Sequence, residues 1–75
     1  MKPTTTNARY RVVEHGMGYA LTTEVLNIGV VMPPRQVGRE WLWELNNSYS
    51  HGTAPTAQAA MDALVAAYEG NGEAR

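Results

Sequence analysis

The sequence predicts an α+β fold in which a three- to four-stranded antiparallel sheet, arranged as a meander, packs on one C-terminal helix. Residues 9–46 contain short runs of β-branched and aromatic side chains that alternate with polar ones, and turn-forming residues separate these runs. From residue 56 onward the apolar period changes to that of a helix. The connections are of hairpin length, which makes neighbouring strands antiparallel.

The 75 residues are expected to form a single domain. Residues 1–8 are polar and without period, and they are interpreted as a loose lead-in. Residues 9–46 form the predicted sheet, 56–69 the helix and 70–75 a polar tail.

Period-two alternation assigns the strands. The stretches that fit are 9–15, 19–25, 28–32 and 41–45, and the cluster 46–52 is interpreted as a turn. Gly16 and Gly18 supply a tight hairpin connection. Gly29 marks either a turn or a bulge. The second and third strands could therefore be separate, which gives four strands, or merged, which gives three. The residues expected to face the helix are Tyr10, Val12, Tyr19, Leu21, Trp41 and Trp43.

The helix is predicted from an alanine-rich segment with one apolar stripe, formed by Ala60, Met61, Leu64, Ala67 and Tyr68. Thr56 is a good N-cap residue. Gly70 suits the position just after the last turn, where a left-handed conformation is common.

The composition excludes several classes of protein. No cysteine is present, which removes disulfides and the usual structural zinc sites. The N-terminus lacks the apolar stretch of a signal peptide, and no run approaches the ~20 apolar residues that span a bilayer. We therefore expect a cytoplasmic protein without a membrane segment. The net charge of −1 gives no overall attraction to nucleic acid.

No motif for enzymatic chemistry is found, and we expect no catalytic residue, no cofactor and no metal. The two histidines, His15 and His51, sit at predicted turns, His15 as the last residue before one, and they lack metal-ligand spacing. Ser48 and Ser50 lie near His51, but sequence neighbours in a turn do not form a nucleophile–base pair. An enzyme would need a pocket that joins one of these histidines to carboxylates.

Three features could contact a partner. Trp41 and Trp43 share a strand face and are either core or a binding hot spot. Leu42 points the other way, where it could form an exposed apolar patch with Val13, Val31 or Leu45. Arg35 and Arg39 lie in the predicted loop that follows Pro33 and Pro34. Their guanidinium groups would suit a phosphate or a carboxylate, and the alternative is that the loop is simply solvated. The candidate contacts are Arg9, Arg11, Arg35, Arg39, Leu42 and Trp43.

The segment from Thr56 to Leu64 resembles the opening of a helix that follows a three-stranded sheet in small phage and actinobacterial domains. A tryptophan on the preceding strand, Trp41 or Trp43, is similar to the same pattern. This architecture is that of the arm-type DNA-binding domain of phage tyrosine integrases. The chain also looks similar to uncharacterised small actinobacteriophage proteins, which implies an accessory or host-interacting role in a bacterial cytoplasm.

The leading interpretation is a small, phage-encoded interaction protein that binds a host or phage protein through the open sheet face or an edge strand, or that forms a homo-oligomer. The alternative is a nucleic-acid-binding accessory domain that uses Arg9, Arg11, Arg35 and Arg39 along one side of the sheet. Four glutamates share the predicted sheet with these arginines, and for this reason we place the protein partner first.

Overall fold

The computed structural model describes residues 2–34, 39–46 and 50–73. Within these ranges, five strands form one antiparallel sheet, and a C-terminal helix packs on one of its faces. The elements are β1 (Arg11–His15), β2 (Gly18–Thr22), β3 (Asn27–Met32), β4 (Trp41–Leu45), β5 (His51–Ala54) and α1 (Ala57–Glu73). The strands lie side by side in chain order. The predicted α+β meander is confirmed, with the strand count corrected from three or four to five.

The predicted first hairpin is confirmed, but only Gly16 takes a positive φ, whereas Gly18 begins β2. His15 pairs with Gly18, which leaves a two-residue turn. Gly16 takes a φ of +57°, a conformation that costs glycine little and other residues more. The strand that begins at Arg11 is shorter than the predicted 9–15, because the backbone turns between Asn7 and Tyr10, where the Tyr10 N–H donates to the Asn7 carbonyl.

The second connection explains the boundary that the sequence leaves open. The Thr23 hydroxyl accepts hydrogen bonds from the N–H groups of Val25 and Leu26, at 3.3 and 3.1 Å, and so closes a turn between two separate strands. Asn27 begins β3. The pairing register between β2 and β3 shifts at this point, because Leu21 pairs with Gly29 and the next residue, Thr22, pairs with Asn27. This irregularity adjoins Gly29, which agrees with the prediction of a bulge there.

The fifth strand begins inside the segment 46–52 that the sequence assigns to a turn and continues two residues beyond it. Gly52 sits directly across from Trp43, and a Cβ at Gly52 would come within 2.9 Å of the Trp43 indole. The indole therefore lies over the glycine and provides the packing that this residue lacks. A strand of His-Gly-Thr-Ala has little apolar pattern of its own, which is why the prediction missed it.

The helix begins as predicted and ends later. The Thr56 hydroxyl accepts the Ala59 N–H at 3.0 Å, which confirms Thr56 as the N-cap. The helix continues through Gly70 to Glu73, so the predicted end at residue 69 and the polar tail from residue 70 are wrong. A Cβ at Gly70 would meet no atom within 4 Å, so nothing at this position requires glycine. No helix in the described part of the chain is long and apolar enough to cross a membrane.

The core lies between α1 and the sheet. Its fully buried side chains include Leu21, Val31, Met61 and Leu64, and Val12, Tyr19, Trp41 and Trp43 pack around it half-exposed. The predicted helix-facing set is therefore confirmed. Val31 and Leu45, which were also considered for the opposite face, are buried beneath the helix.

The N-terminal lead-in is more ordered than expected. Pro3 is fully buried, and Thr4 and Gln58 exchange two hydrogen bonds of 2.9 and 2.8 Å. Six residues later, the Tyr10 hydroxyl donates to Glu69 at 2.8 Å and its ring meets Tyr68 edge-on. The lead-in therefore runs along α1, from its first turn towards its C-terminal end, and is not loose.

The helix that continues through Gly70 generates a stability prediction. We expect Gly70→Ala to raise the free energy of unfolding by up to about 1 kcal/mol, because alanine favours a helix interior and nothing obstructs its methyl group. Gly52→Ala is the matched control and should lower stability, because its methyl group would collide with Trp43. Urea unfolding followed by circular dichroism measures both. A destabilised Gly70→Ala variant would contradict a helical residue 70.

The contact between Tyr10 and Glu69 predicts a loss of stability in alkali. Burial, followed by the hydrogen bond to Glu69, raises the pKa of Tyr10 to about 12. The unfolded chain ionises this tyrosine near pH ~10, so ionisation favours unfolding between about pH 10 and 12 and leaves stability below pH 10 unaffected.

Tyr10→Phe keeps the ring and removes the ionisable group. The difference between wild type and this variant in unfolding free energy, measured from about pH 9 to 12, should shrink as the pH rises. A difference that stays constant across this range would show that Tyr10 titrates as it does in the unfolded chain.

Candidate functional site

One face of the sheet lies away from the helix and carries an apolar patch. Val13 pairs with Ala20, and Ala20 pairs with Val30, so these side chains form one row across three strands. Met32 and Leu42 form the adjoining row on β3 and β4. We call Val13, Ala20, Val30, Met32 and Leu42 the open-face patch. Val13 and Met32 are 43% and 39% exposed. Val30 and Leu42 are half-buried and Ala20 is only 3% exposed, so the exposed area of the patch comes mainly from Val13 and Met32. The helix α1 packs against the opposite face of β3, β4 and β5 and does not cover the patch.

Polar and charged residues surround the open-face patch. Glu44 continues the row of Val30 and pairs with His51 on β5. Thr53 continues the row of Leu42, and Arg11 lies at the corner next to Val13. The face thus has an apolar centre and a polar rim, which is the composition of many protein interfaces.

A recess of about 430 Å³ opens at the corner of the sheet where β1 begins. We call it the arginine recess; its lining is Ala8, Arg9, Arg11, Thr23, Glu24 and Val25. The tight turn closed by Thr23 presents Val25, which is 86% exposed, beside the two arginines. Antiparallel pairing of β1, β2 and β3 brings these residues together, although 12 positions separate Arg11 from Thr23 in the sequence.

The predicted contact residues do not converge on one site. Arg9 and Arg11 share the arginine recess, whereas Arg39 is exposed in the connection between β3 and β4, at the opposite end of the sheet. A five-residue strand is about 17 Å long, which sets the scale of this separation. Arg39 also has a contact of its own within the structure. Arg35 lies outside the described residues.

The two residues predicted from the fourth strand lie on different faces. Leu42 is half-buried in the open-face patch, on the side without the helix. Trp43 is half-buried on the helix side, against Gly52 and the core. Tyr19 stacks on Trp41 with ring centroids 6.3 Å apart. The tryptophan pair therefore packs against the core, and Leu42 is the half-buried candidate on the opposite face.

A second recess, of about 420 Å³, separates the lead-in from α1. Several of its polar side chains already have partners within the fold. Asp62 accepts a hydrogen bond from Gln58, and Glu69 accepts one from Tyr10. This recess is therefore explained by the packing of the lead-in.

The geometry brings together no arrangement for nucleophilic or acid–base chemistry that involves both histidines. His15 ends β1 and His51 begins β5, so they lie on the two edges of the sheet, about 19 Å apart at the spacing of strands. Among the residues that the structure describes, no group of three or more His, Asp or Glu side chains could hold a metal ion.

No family model matches the sequence, and no curated protein or solved structure is significantly similar to it. The interpretation of the site therefore rests on its geometry. The sequence analysis missed Met32, Thr23 and Val25, because only the pairing of strands shows that Met32 adjoins Leu42 and that the turn adjoins Arg9 and Arg11.

Proposed function

We propose that this chain is a small, non-enzymatic interaction module that binds another protein through the open-face patch. The observation that carries the proposal is the group of neighbouring apolar side chains on β1 to β4, on the face that α1 leaves uncovered, where Val13 and Met32 are exposed to solvent. An apolar sheet face exposed to water is costly for so small a domain, and covering it is favourable.

The arrangement of the patch supports a specific contact. Valine, methionine and leucine side chains occupy its centre, and Arg11, Glu44 and Thr53 surround them. The apolar centre would supply affinity, and the charged rim would orient the partner and exclude wrong ones.

The size of the patch limits the mode of binding. Four strands span about 14 Å, so the patch covers on the order of 100–300 Å². A stable interface buries about 800 Å² on each partner. The partner must therefore extend beyond the patch, over the rim or along an edge of the sheet. We propose a different protein as the partner; self-association through the same patch is an outcome that the experiment below separates. An origin in a phage stays a prediction.

The test combines capture with a matched pair of variants. Met32→Thr together with Leu42→Thr makes the patch polar while retaining residues that favour strands. Ala66→Ser is the control, because it adds a hydroxyl to an exposed position of α1. A protein captured from a lysate of the encoding organism is identified and purified, and its affinity for each variant is measured by titration calorimetry.

We expect the double variant to bind at least about 10-fold more weakly than wild type, through lost burial of two apolar side chains, and the control to bind as wild type does. Equal affinities, or no protein whose capture depends on Met32 and Leu42, would contradict the proposal. A dimer in sedimentation that the double variant dissociates would replace the foreign partner with a second copy of the chain.

A further inference from the structure

We propose that the exposed edge of β1 and the arginine recess together bind an extended acidic segment of a protein, which pairs antiparallel with β1 and places its acidic C-terminal end at Arg9 and Arg11. This inference rests on the proposed function only in taking a protein as the partner. The segment would use main-chain hydrogen bonds along the edge and charge at one end.

The edge of β1 is open for pairing. Within the described sheet, β1 pairs with β2 alone, and its side chains except Val12 are exposed. The residues that flank a two-residue hairpin turn form a hydrogen-bonded pair, so His15, and by alternation Val13 and Arg11, direct their backbone groups towards β2. Val12 and Glu14 then direct their N–H and C=O groups outward, where a further strand can reach them.

The two edges of the sheet differ in how well they are protected. The opposite edge strand, β5, has four residues, contains Gly52 and is followed by Pro55, and all three features hinder pairing. In contrast, β1 has five residues, no proline or glycine and an unbroken register with β2. Its two consecutive valines, Val12 and Val13, favour an extended backbone. Of the two edges, β1 is therefore the one better suited to pair with an additional strand.

Charge along β1 gives the segment a direction. Arg9 and Arg11 lie at the N-terminal end of the edge, and Glu14 lies towards the other end. Neither guanidinium forms an ion pair or side-chain hydrogen bond with the residues that the structure describes. Glu24 also lines the recess, so its lining keeps a net positive charge of one. An antiparallel strand brings its C-terminal end to this recess, where two arginines would bind carboxylates and Val25 would contact an apolar side chain.

The test uses defined peptides and the full chain. The probe is Thr-Val-Thr-Val-Thr-Glu-Glu with an acetylated N-terminus and a free C-terminus. One control peptide is Glu-Glu-Thr-Val-Thr-Val-Thr, acetylated and amidated, which places the charge at the wrong end. Another replaces both glutamates of the probe by lysines. Binding is followed by backbone and arginine N–H signals in nuclear magnetic resonance and by amide hydrogen exchange.

We expect the probe to shift the signals of Arg9 and Arg11 and to slow exchange at the Val12 and Glu14 amides, with weaker binding of both control peptides. Arg9→Gln together with Arg11→Gln should weaken binding at least about 10-fold, since two charge-assisted contacts are lost. Lys2→Gln together with Arg39→Gln removes the same charge outside the recess and should leave binding unchanged. Glu14→Pro, which removes an outward N–H from an edge strand, should abolish the protection at Val12.

Several results would overturn the inference: no change along β1 with the probe, equal binding of the reversed peptide, or equal binding by the two double variants. Short duplex DNA or inorganic phosphate that shifts the arginine signals without protecting Val12 would assign the recess to phosphate instead. Met32→Thr with Leu42→Thr should bind the probe as wild type does. If the peptide does not bind, the proposal that the open-face patch binds a protein is unaffected. If no protein is captured through the patch, the proposal for the β1 edge is unaffected.

Discussion

The close contact between α1 and β3 is the constraint on which the rest of the structure depends. Gly29 carries no side chain, and a Cβ there would lie 2.8 Å from a methyl carbon of Leu64. The helix can therefore settle against the sheet, where Ala60, Met61 and Leu64 are fully buried. Small residues on the helix and on the sheet allow the two layers to approach closely, and dispersion attraction and apolar burial stabilise the contact. Because the described residues form a single helix, the fold that this contact creates is two-layered, with one face of the sheet covered by α1.

The lead-in and the aromatic residues complete the covered side. The helix packs over β3, β4 and β5, so the first two strands need other cover. Tyr10 contributes by its ring contact with Tyr68 and its hydrogen bond to Glu69, and Pro3 is buried at the other end of the lead-in. Tyr19 stacks on Trp41 across the sheet. The aromatic side chains of the described residues thus all lie on the covered side, together with most of the large aliphatic ones, and the apolar side chains of the open face are not aromatic.

Local patterns predicted what depends on local physics. Alternation placed Tyr19, Leu21 and the tryptophans beneath the helix, and Thr56 defined the helix start. The features that the sequence analysis missed are those set by distant residues. His51–Ala54 becomes a strand because the Trp43 indole covers Gly52. The lead-in is ordered because Gln58, more than fifty positions away, bonds to Thr4. The open face was predicted, but Val31 and Leu45 were wrongly considered for it. Alternation along β4 already places Leu45 on the side of Trp41 and Trp43, whereas the pairing of Val31 with Trp43 required the strand register.

The two proposed surfaces meet at β1, and this gives them a physical relation. Val13 belongs to the open-face patch and stands at the centre of the exposed edge strand. A strand added to that edge would place side chains beside Val13 on the same face, because residues directly opposite in an antiparallel pair point to the same side. The added strand would therefore enlarge an apolar patch that is too small for a stable interface by itself. Pairing at the edge and docking on the face would then reinforce each other, because a partner that made both contacts would hold the second at a high effective concentration.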